Sequence, residues 1–384
     1  MDRKRLTAAL ALAVLLLVAL PPARAAVEIA ELVTVAGSAG ASGAADGAGA
    51  AARFARPLGV AASADGSFAV VADTDNNLLR RVDLASGAVT TLAGAPGQAG
   101  AADGPGPNAR FAAPASVSMP ISPTFALVAD TQNSTVRRID LATGVVTTVV
   151  GLAGQRGSED GQGNAARLYE PEGLAVSRDG TFALIADTGN HTVRRLDLAT
   201  GALTTLAGQP RVSGTADGTG AQAQFSFPRG LAISPDGSFA LIADSNSQTI
   251  RRLDLATAAV TTFAGGPGQV GGEDGPPQAA RFFFPRSLAI SADGSFALVA
   301  NFTGSTIRRI DLASGTVTTL AGANRQTGAN DGPSLGARLY FPGGVSLTDS
   351  GTAIVADTYN HTIRRLDPRT LERSVYLPYL MRNA

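Results

Sequence analysis

Residues 183–198 read ALIADTGNHTVRRLDL. Together with five close variants, this string occurs six times along the 384-residue chain. The acidic position of the string falls at Asp73, Asp130, Asp187, Asp244, Asn301 and Asp357. A proline keeps the same spacing at residues 57, 114, 171, 228, 285 and 342, and so does an Asp-Gly pair that begins at residues 46, 103, 160, 217, 274 and 331. Three markers share a period of 57 residues, apart from one interval of 56 between Asn301 and Asp357, and they indicate six repeats of a single structural unit.

Each repeat is predicted to form four short antiparallel strands. In the third repeat, strand-like runs at 173–177, 181–186, 192–198 and 202–207 are separated by an Asp-Gly pair, a polar turn and a Thr-Gly pair. Pairs that contain glycine are strong hairpin signals because glycine accepts a positive φ. Four such strands form one blade, so the sequence predicts an all-β fold, a six-bladed β-propeller of four-stranded antiparallel blades.

The two ends of the repeat region predict how the ring closes. The last repeat loses the pattern near Pro368, after its third strand, whereas residues 31–37 match the fourth strand of the other repeats. We therefore expect the N-terminal strand to complete the last blade, which protects the sheet edges. The predicted organisation is a signal peptide (residues 1–25), a propeller (26–370) and a C-terminal tail (371–384).

The N-terminal segment has the pattern of a secretory signal. Basic residues at 3–5 precede an apolar run at 6–20, and the small-x-small sequence 23–25 follows two prolines. The alternative is an uncleaved membrane anchor. We predict a protein that is secreted or held at the cell surface, with no transmembrane span in the mature chain. The tail either packs on the rim of the propeller or acts as a surface-sorting or anchoring signal.

Composition excludes several kinds of site. The chain has no cysteine, which rules out disulfides and thiolate metal ligands. Its 31 basic and 31 acidic residues balance, which argues against a nucleic-acid surface. We expect a monomer that requires no cofactor.

The repeat resembles a known family. The opening PEGLA at 171–175, the turn ADTGN at 186–190 and the strand RRLD at 194–197 are similar to NHL repeats, and the resemblance covers about residues 30–367. It implies the propeller fold and leaves function open, since NHL propellers include binding modules, receptor ectodomains and a few enzymes. Blade two departs from the pattern by lacking the Asp-Gly hairpin, blade five by Asn301, and blade four by Gln224 in place of an arginine.

The repeated polar residues are interpreted mainly as architecture. One arginine of each Arg-Arg pair is expected to be buried beside a repeated aspartate, because an unpaired buried charge is costly; the alternative is an anion-binding ring. The Asp-Gly aspartates are read as turn residues, with calcium ligands as the alternative. His191 and His361 fall in equivalent turns of opposite blades and are too far apart to share a zinc ion. No metal site is predicted.

Residues that break the repeat mark a candidate site. Around the repeated proline, where each chain segment reaches the mouth of the channel, blades three to six carry aromatic and charged residues. The candidate ligand-binding residues are Tyr169, Glu170, Glu172, Arg229, Phe283, Arg286 and Tyr340. Such a mouth suits a polar ligand or a peptide. The alternative is that the aromatic rings pack beneath the loops and the charges are simply solvated.

Three functions remain open from the sequence. The leading hypothesis is an exported, non-catalytic scaffold that recognises a protein, peptide, carbohydrate or other polar ligand at the loop face. The second is a metal-dependent enzyme similar to propeller lactonases or lyases, although no catalytic residue is assigned. The third is a structural component of a cell envelope or adhesive surface.

Overall fold

The computed structural model describes residues 28–370 and shows six antiparallel sheets whose innermost strands contact one another in a closed ring. The predicted signal peptide (1–25) and C-terminal tail (371–384) lie outside the described residues. Residues Ile29–Arg369 make up one compact unit. The predicted six-bladed, all-β propeller is confirmed.

Each blade has four main strands, lettered a to d from the channel outward. Strands a are Pro57–Ala62, Pro114–Ser118, Gly173–Val176, Pro228–Ile233, Pro285–Ile290 and Pro342–Leu347. Strands b are Phe68–Asp73, Phe125–Asp130, Phe182–Asp187, Phe239–Asp244, Phe296–Asn301 and Ala353–Asp357. Strands c are Leu78–Asp83, Thr135–Asp140, Thr192–Asp197, Thr249–Asp254, Thr306–Asp311 and Thr362–Thr370. Strands d are Ala88–Ala93, Val146–Val150, Ala202–Ala207, Ala259–Ala264, Val317–Gly322 and Glu28–Gly37.

The Asp-Gly loops add a feature that the sequence did not predict. In four blades a two-residue strand pairs with strand d and covers part of its outer edge, as Gly161–Gln162 does against Leu203 and Ala202. These strands are Gly47–Ala48, Gly161–Gln162, Gly218–Thr219 and Gly332–Pro333. Short 3-10 helices complete the fold at Gly49–Ala51, Thr74–Asn76, Gly106–Asn108, Thr131–Asn133, Gly163–Ala165, Thr188–Asn190, Gly220–Gln222 and Thr358–Asn360. Within residues 28–370, no helix has the length and apolar character needed to cross a membrane.

The N-terminal strand closes the ring. Glu28–Gly37 lies between Thr362–Thr370 and Gly332–Pro333 in the sheet of blade six. On its outer side, Thr34 also donates hydrogen bonds from its backbone N–H and its hydroxyl to the Asp331 carboxylate, at 3.0 and 2.9 Å. The predicted closure by the first strand is confirmed.

The core consists of apolar layers between adjacent blades. Because both faces of a blade are covered, strand b is apolar at nearly every position. Successive side chains of strand b point to opposite faces, so Leu184 packs with Ile242 of blade four while Ile185 packs with Leu127 of blade two. Consecutive blades therefore share their hydrophobic core.

Buried arginines tie the loops to this core. Arg194 is fully buried and donates to Asp187 at 2.6 Å and to Asp160 at 2.7 Å, besides two backbone carbonyls. Burial raises the pKa of Asp187 to about 6, and the Arg194 charge and hydrogen bonds from Asn190 and Tyr169 oppose that rise. The fully buried equivalents are Arg80, Arg137, Arg251, Arg308 and Arg364. The predicted pairing of a buried arginine with a repeated aspartate is confirmed in every blade, although in blade five only the Asp-Gly aspartate takes part.

Candidate functional site

The channel is a cavity of about 250 Å³ lined by strand a of all six blades. Many of its lining residues have apolar side chains, for example Val117, Ala175 and Leu288, and serines such as Ser116 and Ser287 lie among them. Glu172, Arg229 and Arg286 line the end at which strands a begin, and the exposed Arg178 lines the end at which they stop. Three charged groups therefore stand together at one mouth of the channel.

Close approach of two blades positions the charged residues. A Cβ at Gly173 would collide with the backbone carbonyl of Arg229, so only glycine lets strands a of blades three and four approach this closely. The approach brings Glu172, which immediately precedes Gly173, beside the side chain of Arg229. A substitution of Gly173 is therefore expected to disturb the mouth as well as the packing.

Three blades contribute to one charged cluster. A single carboxylate oxygen, Oε2 of Glu172, accepts a hydrogen bond from Arg286 Nη2 at 2.6 Å and lies 3.3 Å from Arg229 Nε. The three side chains are 16, 15 and 24% exposed for Glu172, Arg286 and Arg229. We call these residues the arginine–glutamate cluster. It holds two positive charges and one negative charge in a partly desolvated position.

Electrostatics at the cluster favour an additional anion. Burial lowers the pKa of Arg286; Glu172 raises it, whereas the charges of Arg229 and Arg56 lower it further. Arg56, from blade one, is about half exposed and lies 3.6 Å from the exposed Asp75. Three guanidinium groups thus act on the same region.

An aromatic cluster borders the mouth on the side of blades five and six. Its members, called here the aromatic rim, are Phe302, Tyr340, Phe341 and Tyr359. Neighbouring ring centroids lie 5.0–6.2 Å apart, mostly in edge or tilted orientations that aromatic pairs prefer. All four side chains remain partly exposed.

The aromatic rim contacts the arginines of the mouth. The guanidinium carbon of Arg286 lies 5.2 Å from the centre of the Phe302 ring, and that of Arg56 lies 4.8 Å from the centre of the Tyr359 ring. Arg56 also donates to the Tyr359 hydroxyl at 3.1 Å. The charged and aromatic groups therefore form one continuous surface.

The predicted site residues separate into several groups. Glu172, Arg229 and Arg286 come together, and Tyr340 belongs to the aromatic rim. Three others lie in separate pairings: Arg156 binds Glu170 at 2.9 Å and stacks on Tyr169, while Arg325 stacks on Phe283. These separate contacts do not link Tyr169, Glu170 or Phe283 to the arginine–glutamate cluster.

Similarity to known proteins agrees with this architecture. The family profile described as NHL repeat matches residues 339–366, within blade six. The chain is 35% identical over 224 residues to NHL repeat-containing protein 2 of Bos taurus, covering 54% of this chain and 30% of that protein. Blade six therefore contains an NHL repeat, and the chain is similar to NHL repeat-containing proteins.

Two other matches extend the comparison. Protein SUPPRESSOR OF QUENCHING 1, chloroplastic, of Arabidopsis thaliana is 30% identical over 284 residues, which cover 71% of this chain and 27% of that protein. This propeller thus spans less than a third of either of these relatives. An auxiliary nutrient binding protein from Bacteroides thetaiotaomicron VPI-5482 has the same fold, with a TM-score of 0.68, 16% identity and coverage of 89% of this chain and 77% of that one.

The predicted site omits four residues of the mouth: Arg56 and Phe341, which precede repeated prolines, and Phe302 and Tyr359. Phe302 stands where four other blades have threonine and one has serine, and Tyr359 is the largest residue at its own repeat position. Phe302 and Tyr359 lie in the turn between strands b and c, whereas the predicted site residues all lie near the repeated prolines. Aligning the b–c turns in register reveals both substitutions.

The histidines of this propeller link neighbouring blades. His191 Nδ1 accepts the backbone N–H of Phe227 at 3.2 Å, and His361 Nδ1 accepts that of Arg56 at 3.0 Å. Burial lowers the pKa of both rings. Across residues 28–370, no three His, Asp or Glu side chains are grouped closely enough to hold a metal ion.

Proposed function

We propose that this propeller is an exported, non-catalytic scaffold that binds a polar ligand or a peptide at the mouth of its channel. The observation that carries the proposal is the convergence of Glu172, Arg229 and Arg286, from three different blades, on one partly desolvated position. Residues that recur in all six blades serve the fold. Glu172, Arg229 and Arg286 occupy one repeat position, which the other blades fill with Leu58, Ala115 and Gly343, and they meet in space.

The energetics support a binding role. Partly burying two guanidinium groups beside one carboxylate costs desolvation free energy. The carboxylate balances only one of the two positive charges, so a bound partner would offset the rest of that cost. Ligand sites are typically concave with a few convergent polar groups, and the mouth of this channel is a concave site on which three charged groups converge. The protein of similar fold described as an auxiliary nutrient binding protein shows that such propellers occur in binding proteins.

The test is a thermal-melt screen of the purified chain. The probes are a panel of sugars, amino acids, dipeptides and small organic acids, because a ligand that binds only the folded state raises the melting temperature. At least one probe is expected to raise it in the wild type but not in Arg286→Met. Arg178→Met, at the other end of the channel, is the matched control and should retain the response.

A catalytic role would show itself in the same preparation. Turnover of lactones or esters that disappears in Arg286→Met, and persists in Arg178→Met, would overturn the non-catalytic proposal. A panel in which no probe distinguishes the two variants would contradict binding at this mouth.

Export is tested separately. Expression of the full chain followed by N-terminal sequencing should identify Ala26 as the first residue of protein recovered outside the cytoplasm. Recovery of the intact N-terminus in the cytoplasm alone would contradict this part of the proposal.

A further inference from the structure

We propose that the ligand of this mouth is an aromatic carboxylate, bound with its carboxylate on Arg286, Arg229 and Arg56 and with its ring against the aromatic rim. This inference rests on the proposed function and specifies the chemistry of the ligand. The carboxylate could belong to a free small molecule or to the C-terminal residue of a peptide, since both present the same groups.

Hydrogen-bond donors are in surplus at the arginine–glutamate cluster. A guanidinium carries five N–H donors, yet Arg286 and Arg229 share one oxygen of Glu172. Within residues 28–370, Arg286 makes a single side-chain hydrogen bond, to Glu172, and Arg229 makes only the 3.3 Å ion contact with the same oxygen. A planar carboxylate is the acceptor that matches a guanidinium fork, because it takes two parallel N–H bonds.

Charge selects an anion over a neutral or cationic group. Arg56, Arg229 and Arg286 all act on this region, and within residues 28–370 Glu172 is the carboxylate that contacts both Arg229 and Arg286. Asp75 is 46% exposed and lies 3.6 Å from Arg56, so solvent screens much of that pair. A second carboxylate would bring three positive charges and two negative charges together at the mouth. An aromatic cation, by contrast, would be repelled.

The aromatic rim accounts for the rest of the ligand. Arg286 lies against Phe302 and Arg56 lies against Tyr359, at 5.2 and 4.8 Å from the ring centres. An anion that bridges these two arginines is therefore held beside exposed ring surface. Phe302 and Phe341, with centroids 5.3 Å apart, offer apolar area on which a flat ring can pack edge-on or offset.

The proposal is tested by calorimetric titration with five defined probes. Phenylacetate carries both features, phenylacetamide lacks the charge, and acetate lacks the ring. The tripeptide Gly-Gly-Phe, with and without C-terminal amidation, provides the peptide form of the same chemistry. Each probe is titrated into the wild type, Arg286→Met, Phe302→Thr and the control Arg178→Met.

Phenylacetate or the free-acid peptide is expected to bind the wild type, and whichever binds more tightly identifies the source of the carboxylate. Replacing the carboxylate by the amide should weaken binding by roughly 10-fold or more, as expected for charge-assisted hydrogen bonds. Arg286→Met should do the same. Phe302→Thr should weaken phenylacetate by several-fold and leave acetate unchanged, while Arg178→Met alters neither.

Two outcomes would overturn the inference. One is equal affinity for an acid and its amide, and the other is that neither phenylacetate nor free-acid Gly-Gly-Phe binds. If a sugar or another neutral probe nevertheless stabilises the wild type and loses its effect in Arg286→Met, the proposed binding function stands and only the ligand class is wrong. If no probe distinguishes Arg286→Met from Arg178→Met, the proposed function fails as well.

Discussion

Blades three and five are built from the same 57-residue unit, yet their turns between strands b and c do different things. In blade three, Asp187 binds the buried Arg194, and Thr188 donates to the carbonyl of Pro228 in the next blade at 2.7 Å. In blade five the corresponding residues are Asn301 and Phe302. Asn301 still accepts the backbone N–H of Phe283 at 2.7 Å, but the ion pair and the threonine bond to the next blade are gone.

The difference shows where the fold gives up structural bonds and what replaces them. The side chain of Phe302 cannot donate a hydrogen bond, and its ring instead contacts Phe341, Tyr359 and Arg286. Arg308 keeps Asp274 and two backbone carbonyls, so its charge is still compensated. Blade five therefore keeps a compensated buried arginine, while its b–c turn contributes aromatic surface to the mouth.

The largest expected effect comes from removing the ion pair of the b–c turn in blade three, which blade five does not have. Asp187→Ala should lower the free energy of unfolding by roughly 2–3 kcal/mol, because it removes a charge-assisted hydrogen bond to the buried Arg194, which keeps Asp160 and two backbone carbonyls. Urea unfolding at pH 7.5 measures the change. Asn301→Ala, the matched variant in blade five, should cost only about 1 kcal/mol, since the loss there is of neutral hydrogen bonds. Equal costs would show that the two turns do not differ as described.

A smaller effect is expected from the bond between blades. Thr188→Val keeps the shape of the side chain but removes the donor to the Pro228 carbonyl, which is then buried without that partner. The expected loss of unfolding free energy is about 1–2 kcal/mol. Thr303→Val, at a half-buried position of the blade-five turn, is the control. A change below a few tenths of a kcal/mol in Thr188→Val would contradict a stabilising role for this bond.

The reverse exchange gives blade five the turn of the other blades. The double variant Asn301→Asp with Phe302→Thr should be as stable as the wild type or up to about 1 kcal/mol more stable, because it can restore the ion pair and the bond to the carbonyl of Pro342. It should also bind phenylacetate several-fold more weakly than the wild type does. A variant that is destabilised, or that still binds phenylacetate as the wild type does, would break the link between the altered turn and the site.

The fold was predictable because the same pattern of strands and turns recurs in all six repeats. In the third repeat the predicted strands 192–198 and 202–207 differ from the observed Thr192–Asp197 and Ala202–Ala207 by no more than one residue. The short strand Gly161–Gln162 was missed, since two residues carry no periodicity and form a strand only because strand d offers a free edge.

The site was only partly predictable, because departures from the repeat say which residues are special but not which ones meet. Glu172, Arg229 and Arg286 were identified from their variation and do converge. Glu170 has the same variation and instead pairs with Arg156 on the exposed surface. Strand direction and loop conformation separate Glu170 from Glu172, and neither can be read from the repeat alone.

The smallest expected effect concerns the residue that ends the b–c turn. His191 and His361 accept a backbone N–H of the next blade, and Gln248 does the same in blade four at 2.7 Å. Burial lowers the pKa of both histidines, so the unfolded chain takes up protons first as the pH falls. Their contribution to stability is therefore complete above about pH 6.5 and is lost as the pH falls below it.

The double variant His191→Gln with His361→Gln checks this directly. Glutamine accepts the same bond and does not titrate, so the variant should lose less stability than the wild type between pH 7.5 and 5.5. Urea unfolding midpoints at these pH values provide the measurement. Parallel pH profiles for the two proteins would show that neither ring acts as a neutral acceptor.

The most direct test of the central claim, that blade five gives up structural bonds to build a binding surface, is crystallographic. Crystals of the wild type soaked with 4-bromophenylacetate would locate the bromine by its anomalous scattering. We predict the bromine beside Phe302 and Phe341, with the carboxylate on Arg286. Bromine at the other end of the channel near Arg178, or at the equivalent turns of the other blades with none at Phe302, would contradict the account.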